Sequence, residues 1–205
     1  MYKALAAVLT VLLITSCNKD KTLPVEPAPP VQAEAGKSIV VGDQTVMVPK
    51  KLTLTQNQLL NTAYAIARAD GHDDPSLIQG VLLQETKAGG VKSYKVAGPA
   101  NDKYYGLMQI KLGSAQEVMG GFPKLWSKYN FHTRTDDELK ANLILNEAFN
   151  IEIGSKYMKM LHQKYGFSGR ELVNAYNRGP GGVKSVDNDY YYAVEAEKKL
   201  VAFKH

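Results

Sequence analysis

Asp74-Pro75-Ser76-Leu77-Ile78-Gln79-Gly80-Val81-Leu82-Leu83-Gln84-Glu85 reads as one helix with an acid on its apolar side. Asp74 can accept backbone N–H bonds, and Pro75 suits the first helical position. Leu77, Ile78, Val81 and Leu82 recur at helical spacing. Glu85 falls seven residues after Ile78 and three after Leu82, so it shares their face. A bare charge buried there is costly, so the side chain is neutral, paired or useful. Desolvation raises a carboxyl pKa toward what a general acid needs near neutral pH. The plain alternative is a helix-end acid, solvated or paired with nearby Lys87. This helix alone does not choose between them.

Further helices are predicted on both sides. Upstream, Thr55 and Gln58 form a capping-box pattern before Leu59, Leu60, Ala63, Ile66 and Ala67, and Gly71 closes that helix. Downstream, residues 87–105 read as a long irregular loop rich in Gly and Lys, of the kind that is often functional. Gly106-Leu107-Met108-Gln109-Ile110 is a short apolar run, and Ser114 caps a short helix. Residues 120–134 read as a second loop, holding the only tryptophan, Trp126. Thr135 and Glu138 make a second capping box. Leu143 to Tyr165 reads as one helix, closed by Gly166. Ser168 and Glu171 make a third box, opening Leu172 to Asn177, and Gly179-Pro180-Gly181-Gly182 breaks the chain. Asp189 caps a last helix over residues 190–203. Earlier, Ile39-Val40-Val41 and Thr45-Val46-Met47-Val48 flank Gly42-Asp43, which predicts a small β-hairpin ended by Pro49. The expected fold is mainly α, an α+β arrangement with little sheet: a helical domain over 50–205 behind a hairpin at 38–49.

The N-terminus carries a different signal. Lys3 followed by the apolar run Ala4 to Ile14 reads as an export signal, too short for a comfortable membrane span. Leu13-Ile14-Thr15-Ser16-Cys17 resembles a bacterial lipoprotein signal, which implies removal of residues 1–16 and a lipidated Cys17. The alternative is an ordinary cleaved signal with a chance cysteine. Asn18, where an aspartate favours the inner membrane, points to an outer-membrane lipoprotein facing the periplasm. Residues 17–37, with Pro24, Pro27, Pro29 and Pro30, form an extended tether.

Composition narrows the function classes. The chain has 205 residues and a net charge of +5, from 25 basic and 20 acidic residues, without a dense Lys/Arg block, so a nucleic-acid partner is not expected. A single cysteine excludes an internal disulfide and a cysteine-based zinc cluster. His72, His132, His162 and His205 have no ligand spacing, so no metal and no cofactor are expected.

Four elements occur in order: Gln84-Glu85-Thr86, then Tyr105-Gly106-Leu107-Met108-Gln109-Ile110, then Asn150-Ile151-Glu152-Ile153-Gly154-Ser155-Lys156-Tyr157, then Ala175-Tyr176-Asn177-Arg178-Gly179-Pro180-Gly181. Together they resemble the soluble-lytic-transglycosylase family, which has a lysozyme-like fold. The resemblance covers roughly residues 55–203. Three departures stand out. Thr86 replaces the usual serine, Tyr105 replaces a small residue, and the loop after Glu85 lacks the usual Ala-x-Ser-x-x-Gly-Ala pattern.

The resemblance implies a peptidoglycan substrate and one carboxyl, Glu85, acting first as acid and then as base. The muramic acid C6 hydroxyl would attack C1, and no water would be consumed. It also implies that Gln109 bonds the sugar or its N-acetyl group and that Tyr176 orients Glu85 or the substrate. Asn177 would hold its loop. Met108 would line the cleft, with plain core packing as the alternative. Tyr105 offers a sugar-stacking face, and of Tyr190-Tyr191-Tyr192 the ring assigned to the cleft is Tyr191. A true hydrolase on the same fold, similar to a goose-type lysozyme, would need a second carboxylate, separated from the first by about 5–5.5 Å if retaining or about 6.5–9.5 Å if inverting. Asp102 is the nearest candidate. The rival outside enzymes is a wall-binding lipoprotein that keeps the cleft without the chemistry.

Overall fold

The structure is a computed structural model that describes residues 38–41, 44–47, 54–90, 96–99, 102–183 and 188–202. The signal segment, Cys17 and the tether lie outside the described residues.

The axis is α2, Ser76–Thr86. Leu77, Ile78, Val81, Leu82 and Leu83 are all buried, so the helix is apolar nearly all round and has to be surrounded. Three helices do this: α1 (Leu54–Asp70), α6 (Glu147–Tyr165) and α8 (Asp189–Ala202). The approach of α8 is tight. A Cβ at Gly80 would sit 2.8 Å from the Val194 carbonyl oxygen, so a larger residue there would push α8 away. Asp74 accepts from the Ser76 N–H at 3.1 Å, as the opening of the helix predicts.

The outer helices are α3 (Leu112–Gly121), α4 (Lys124–Lys128), α5 (Asp136–Leu145) and α7 (Gly169–Arg178). A 3₁₀ turn, Pro180–Gly182, follows α7. The strands β1 (Ser38–Val41) and β2 (Gln44–Met47) pair antiparallel, with Val41 opposite Gln44, and this hairpin lies against α8. A second small sheet joins β3 (Val96–Ala97), β4 (Tyr104–Tyr105) and β5 (Ile110–Lys111), all antiparallel. The architecture is mainly α, as expected. Among the described residues no helix is long and apolar enough to cross a membrane.

Several local expectations need correction. Residues 87–105 are not wholly irregular, because β3 and β4 lie within them. The loop at 120–134 contains α4. Thr55 is the second residue of α1 rather than its cap, and Ser114 sits inside α3, which Lys111 precedes. The helix predicted from Leu143 to Tyr165 is broken at Asn146, whose side chain accepts from the Phe149 N–H at 3.0 Å and so starts α6 afresh. Asparagine competes for backbone groups in this way, which is why it favours caps over helix interiors. Ser168 precedes α7 but makes no side-chain cap bond.

Thr135 does cap α5, accepting from the Glu138 N–H at 3.3 Å. The Glu138 carboxylate then departs from the box. It accepts from the N–H groups of His132, Thr133 and Arg134, which hold its pKa down to about 2. The end of α1 is tied to α6 by charge. Buried Asp70 accepts from Ser155 Oγ at 2.6 Å and from the Lys156 ammonium, and His72 shares the Ser155 hydroxyl at 3.0 Å.

Candidate active site

Glu85 lies in the last turn of α2, at the floor of a cleft of about 320 Å³. Beyond it, α2 ends in an unusual way. Lys87 and Ala88 both take the left-handed backbone conformation, at φ 52° and 50°, and their N–H groups satisfy the carbonyls of Leu83 and Leu82. This abrupt end stops the helix directly after the acid.

Burial is the main influence on Glu85. It pushes the carboxyl from an ordinary 4.5 up to about 7, against the opposing pull of a hydrogen bond donated by the Tyr190 hydroxyl to Oε1. Tyr190 comes from the first turn of α8. Burial, followed by the charge of Glu85, raises Tyr190 and Tyr176 well above an ordinary tyrosine, so both remain protonated donors.

One wall of the cleft is the tight turn from β4 to β5, and three side chains clamp it. Thr86 Oγ1 donates to the Leu107 carbonyl at 2.9 Å, which ties the turn to the end of α2. Asn150, buried on α6, accepts from the Met108 N–H at 2.7 Å and donates to the carbonyls of Tyr105 at 2.9 Å and Leu143 at 3.1 Å. The Tyr176 hydroxyl donates to the Met108 carbonyl at 2.7 Å. Gly106 makes this closeness possible. Its φ is 71°, and a Cβ there would meet the Leu143 carbonyl oxygen at 2.2 Å. Gln109 Nε2 donates back to the Gly106 carbonyl at 2.7 Å.

Of the residues expected at the site, the cleft brings together Glu85, Gln109, Tyr176 and Asn177. Three do not line it. Met108 is fully buried, so its side chain belongs to the core and only its backbone serves the turn. Tyr105 packs on the core, while its neighbour Tyr104 lines the cleft. Adjacent strand residues face opposite ways, so placing one ring in the cleft removes the other. Tyr191 packs its ring 5.4 Å from that of Tyr192, and the tyrosine of that run that reaches Glu85 is Tyr190. Asp102, the candidate second carboxylate, does not line the cleft either. It bonds Lys111 Nζ at 2.8 Å. Tyr157, Lys111 and Arg178 also line the cleft, together with Ile110, Ser114 and Gly179, in ways the sequence reading missed, and Tyr157 packs its ring 5.8 Å from that of Tyr176. Among the described residues no group of three or more His, Cys, Asp or Glu could hold a metal ion.

A family model described as the transglycosylase SLT domain matches residues 48–198. The chain belongs to this family. All the elements that build the cleft fall within the matched span, so the SLT domain supplies the whole of the described site. The fold is accordingly the lysozyme-like one, and the family's activity is that of lytic transglycosylases on peptidoglycan. No curated protein matches the chain.

Proposed function

We propose that this SLT domain cleaves the β-1,4 bond from N-acetylmuramic acid to N-acetylglucosamine and leaves a 1,6-anhydro end. Glu85 is the residue that carries the reaction. The supporting observation is that, among the described residues, it is the sole carboxyl lining the cleft. A pKa near 7 keeps a large share of it protonated near neutral pH, as a general acid requires. Glu85 gives its proton to the glycosidic oxygen as the C1–O bond breaks. The C6 hydroxyl of the muramic residue then closes on C1 and returns a proton to the Glu85 carboxylate. The acid is regenerated and no water is used. A hydrolase would need a second group to activate water, and Asp102 does not line the cleft and is engaged with Lys111.

Mass spectrometry of fragments released from purified peptidoglycan by residues 38–205 tests this directly. Fragments one water lighter than reducing muropeptides are expected. Reducing ends would mean hydrolysis and overturn the proposal, and no release at all would favour a wall-binding role. The proposal also places the domain on the periplasmic face of the outer membrane, held through a lipidated Cys17 and the proline-rich tether. The support for this is the resemblance of Leu13 to Cys17 to a lipoprotein signal.

A further inference from the structure

The cleft carries more positive charge than its proposed chemistry needs. Besides Glu85, its charged lining residues are Lys111, at the end of β5, and Arg178, at the end of α7. The rest of the polar lining is Tyr104, Gln109, Ser114, Tyr157, Tyr176 and Asn177. These neutral groups are enough to hydrogen-bond and stack on N-acetyl sugars. A neutral glycan offers nothing that specifically requires a lysine and an arginine.

Lys111 is held but not spent. Its ammonium bonds Asp102 at 2.8 Å and lies 5.0 Å from the centre of the Tyr104 ring. Both members of the pair are close to half exposed, at 44% and 47%, and such pairs contribute little and exchange readily with a competing anion. Lys111 lines the cleft and Asp102 does not, although the Tyr104 hydroxyl also reaches Asp102 at 3.4 Å, so an anion in the cleft competes with Asp102 for the ammonium. The Tyr104 ring beneath Lys111 holds that charge against the aromatic wall of the cleft.

We infer that Lys111 and Arg178 are specificity-determining residues that read a carboxylate carried by the glycan strand. The SLT domain would therefore prefer muramyl strands with free carboxylates to the same strands neutralised. The inference rests on the function proposed above and deepens it. A muramyl strand supplies carboxylates from two sources, the lactyl group on the sugar and the stem peptide. Both offer the same chemistry to a cationic wall.

The test measures binding to Glu85→Gln, which leaves the strands intact. The ligands are peptide-bearing strands, strands stripped by an amidase so that lactyl carboxylates are free, and stripped strands converted to methylamides. Two exposed charge contacts together are worth about ten-fold, so the methylamides should bind about ten-fold more weakly than the best anionic strand, and added salt should shrink the gap. Lys111→Gln or Arg178→Gln in the same background should reduce the preference to about three-fold. Asp102→Asn releases Lys111 and should enlarge it, a change that faulty folding would not produce.

Peptide-bearing strands binding above stripped ones would identify the stem peptide as the source. Equal binding of those two, both above the methylamides, would identify the lactyl group. Equal binding of all three overturns the inference. If wild-type protein binds with charge preference yet releases no anhydro fragments, the proposed reaction fails while the inference stands.

Discussion

The hydroxyl of Tyr190 donates a hydrogen bond to Oε1 of Glu85, although 105 residues separate the two in the chain. It opposes the burial that dominates the acid, because a donated hydrogen bond favours the charged carboxylate. Tyr190→Phe keeps the ring and removes the donor, so the pKa of Glu85 should rise further. A hydrogen bond to a charged group is worth about 1.5–3 kcal/mol, so the limb of the pH–rate profile that reports Glu85 should move up by about one to two units. Measuring kcat/KM against pH on soluble strands checks this. An unmoved limb would mean that the contact does not set the acidity.

Glu85→Gln should lower wall-cleaving activity by about 10²–10⁴-fold, since it keeps the shape and removes the titratable proton. Turbidity clearance of purified walls reads this directly. Activity within a few-fold of wild type would remove Glu85 from the mechanism.

The same substitution should stabilise the fold, in a pH-dependent way. Glu85 holds its proton more tightly folded than unfolded, so the native state carries the extra proton between pH 4.5 and about 7. The stability gained from the protonated acid is complete below 4.5 and is lost as the pH rises through 7. The rise from 4.5 to about 7 corresponds to about 3 kcal/mol. Glu85→Gln avoids that loss. Urea unfolding at pH 8 should show the variant more stable than wild type by about 2–3 kcal/mol, with the gap closing toward pH 4.5. Parallel curves at both pH values would show that the acid is not strained by its burial.

Much of this arrangement was legible before any coordinates. Leu77, Ile78, Val81 and Leu82 recur at helical spacing, which already gives α2 an apolar face, and Glu85 follows in phase with Leu82; that Gln79 and Leu83 are buried as well, so that the helix is enclosed, was not legible. What stayed hidden depended on facing or on distance. Tyr104 and Tyr105 are neighbours of identical type, and composition does not say which side of a two-residue strand meets the cleft. Tyr190, Tyr191 and Tyr192 pose the same problem on a helix, where the answer depends on how α8 rotates against Gly80. Asn146 is a single polar residue in a helical pattern, and its side chain broke the helix by bonding one N–H. The clamp made by Asn150 was visible only as a motif letter, since its partners are carbonyls and an N–H that carry no side-chain signature.

That clamp makes a sharp stability prediction. Asn150→Ala would strand the Met108 N–H and the carbonyls of Tyr105 and Leu143 in a buried site. Each unsatisfied group costs about 1–3 kcal/mol, so a loss of at least 3 kcal/mol is expected in urea unfolding. Activity at a temperature where the variant is still folded should fall as well, because the turn carrying Gln109 loses its anchor. A loss below 1 kcal/mol would mean that water replaces the side chain.

Thr86 offers the most economical test of how the turn is linked to the acid. Its hydroxyl donates to the Leu107 carbonyl and accepts from the Gly89 N–H at 3.3 Å, while the residue itself is buried. It therefore joins the end of α2, one residue beyond Glu85, to the wall of the cleft and to the chain that leaves it. Thr86→Ser keeps the hydroxyl and removes a methyl group, so stability should drop by no more than about 1 kcal/mol, with activity close to wild type. Thr86→Val keeps the branched shape and removes the hydroxyl. It leaves the Leu107 carbonyl unsatisfied, which should cost about 1–3 kcal/mol and loosen the turn relative to Glu85. The comparison separates packing from hydrogen bonding, because the two variants remove one each. If valine is tolerated and serine is not, the methyl group holds the site together, and the bond to Leu107 is incidental.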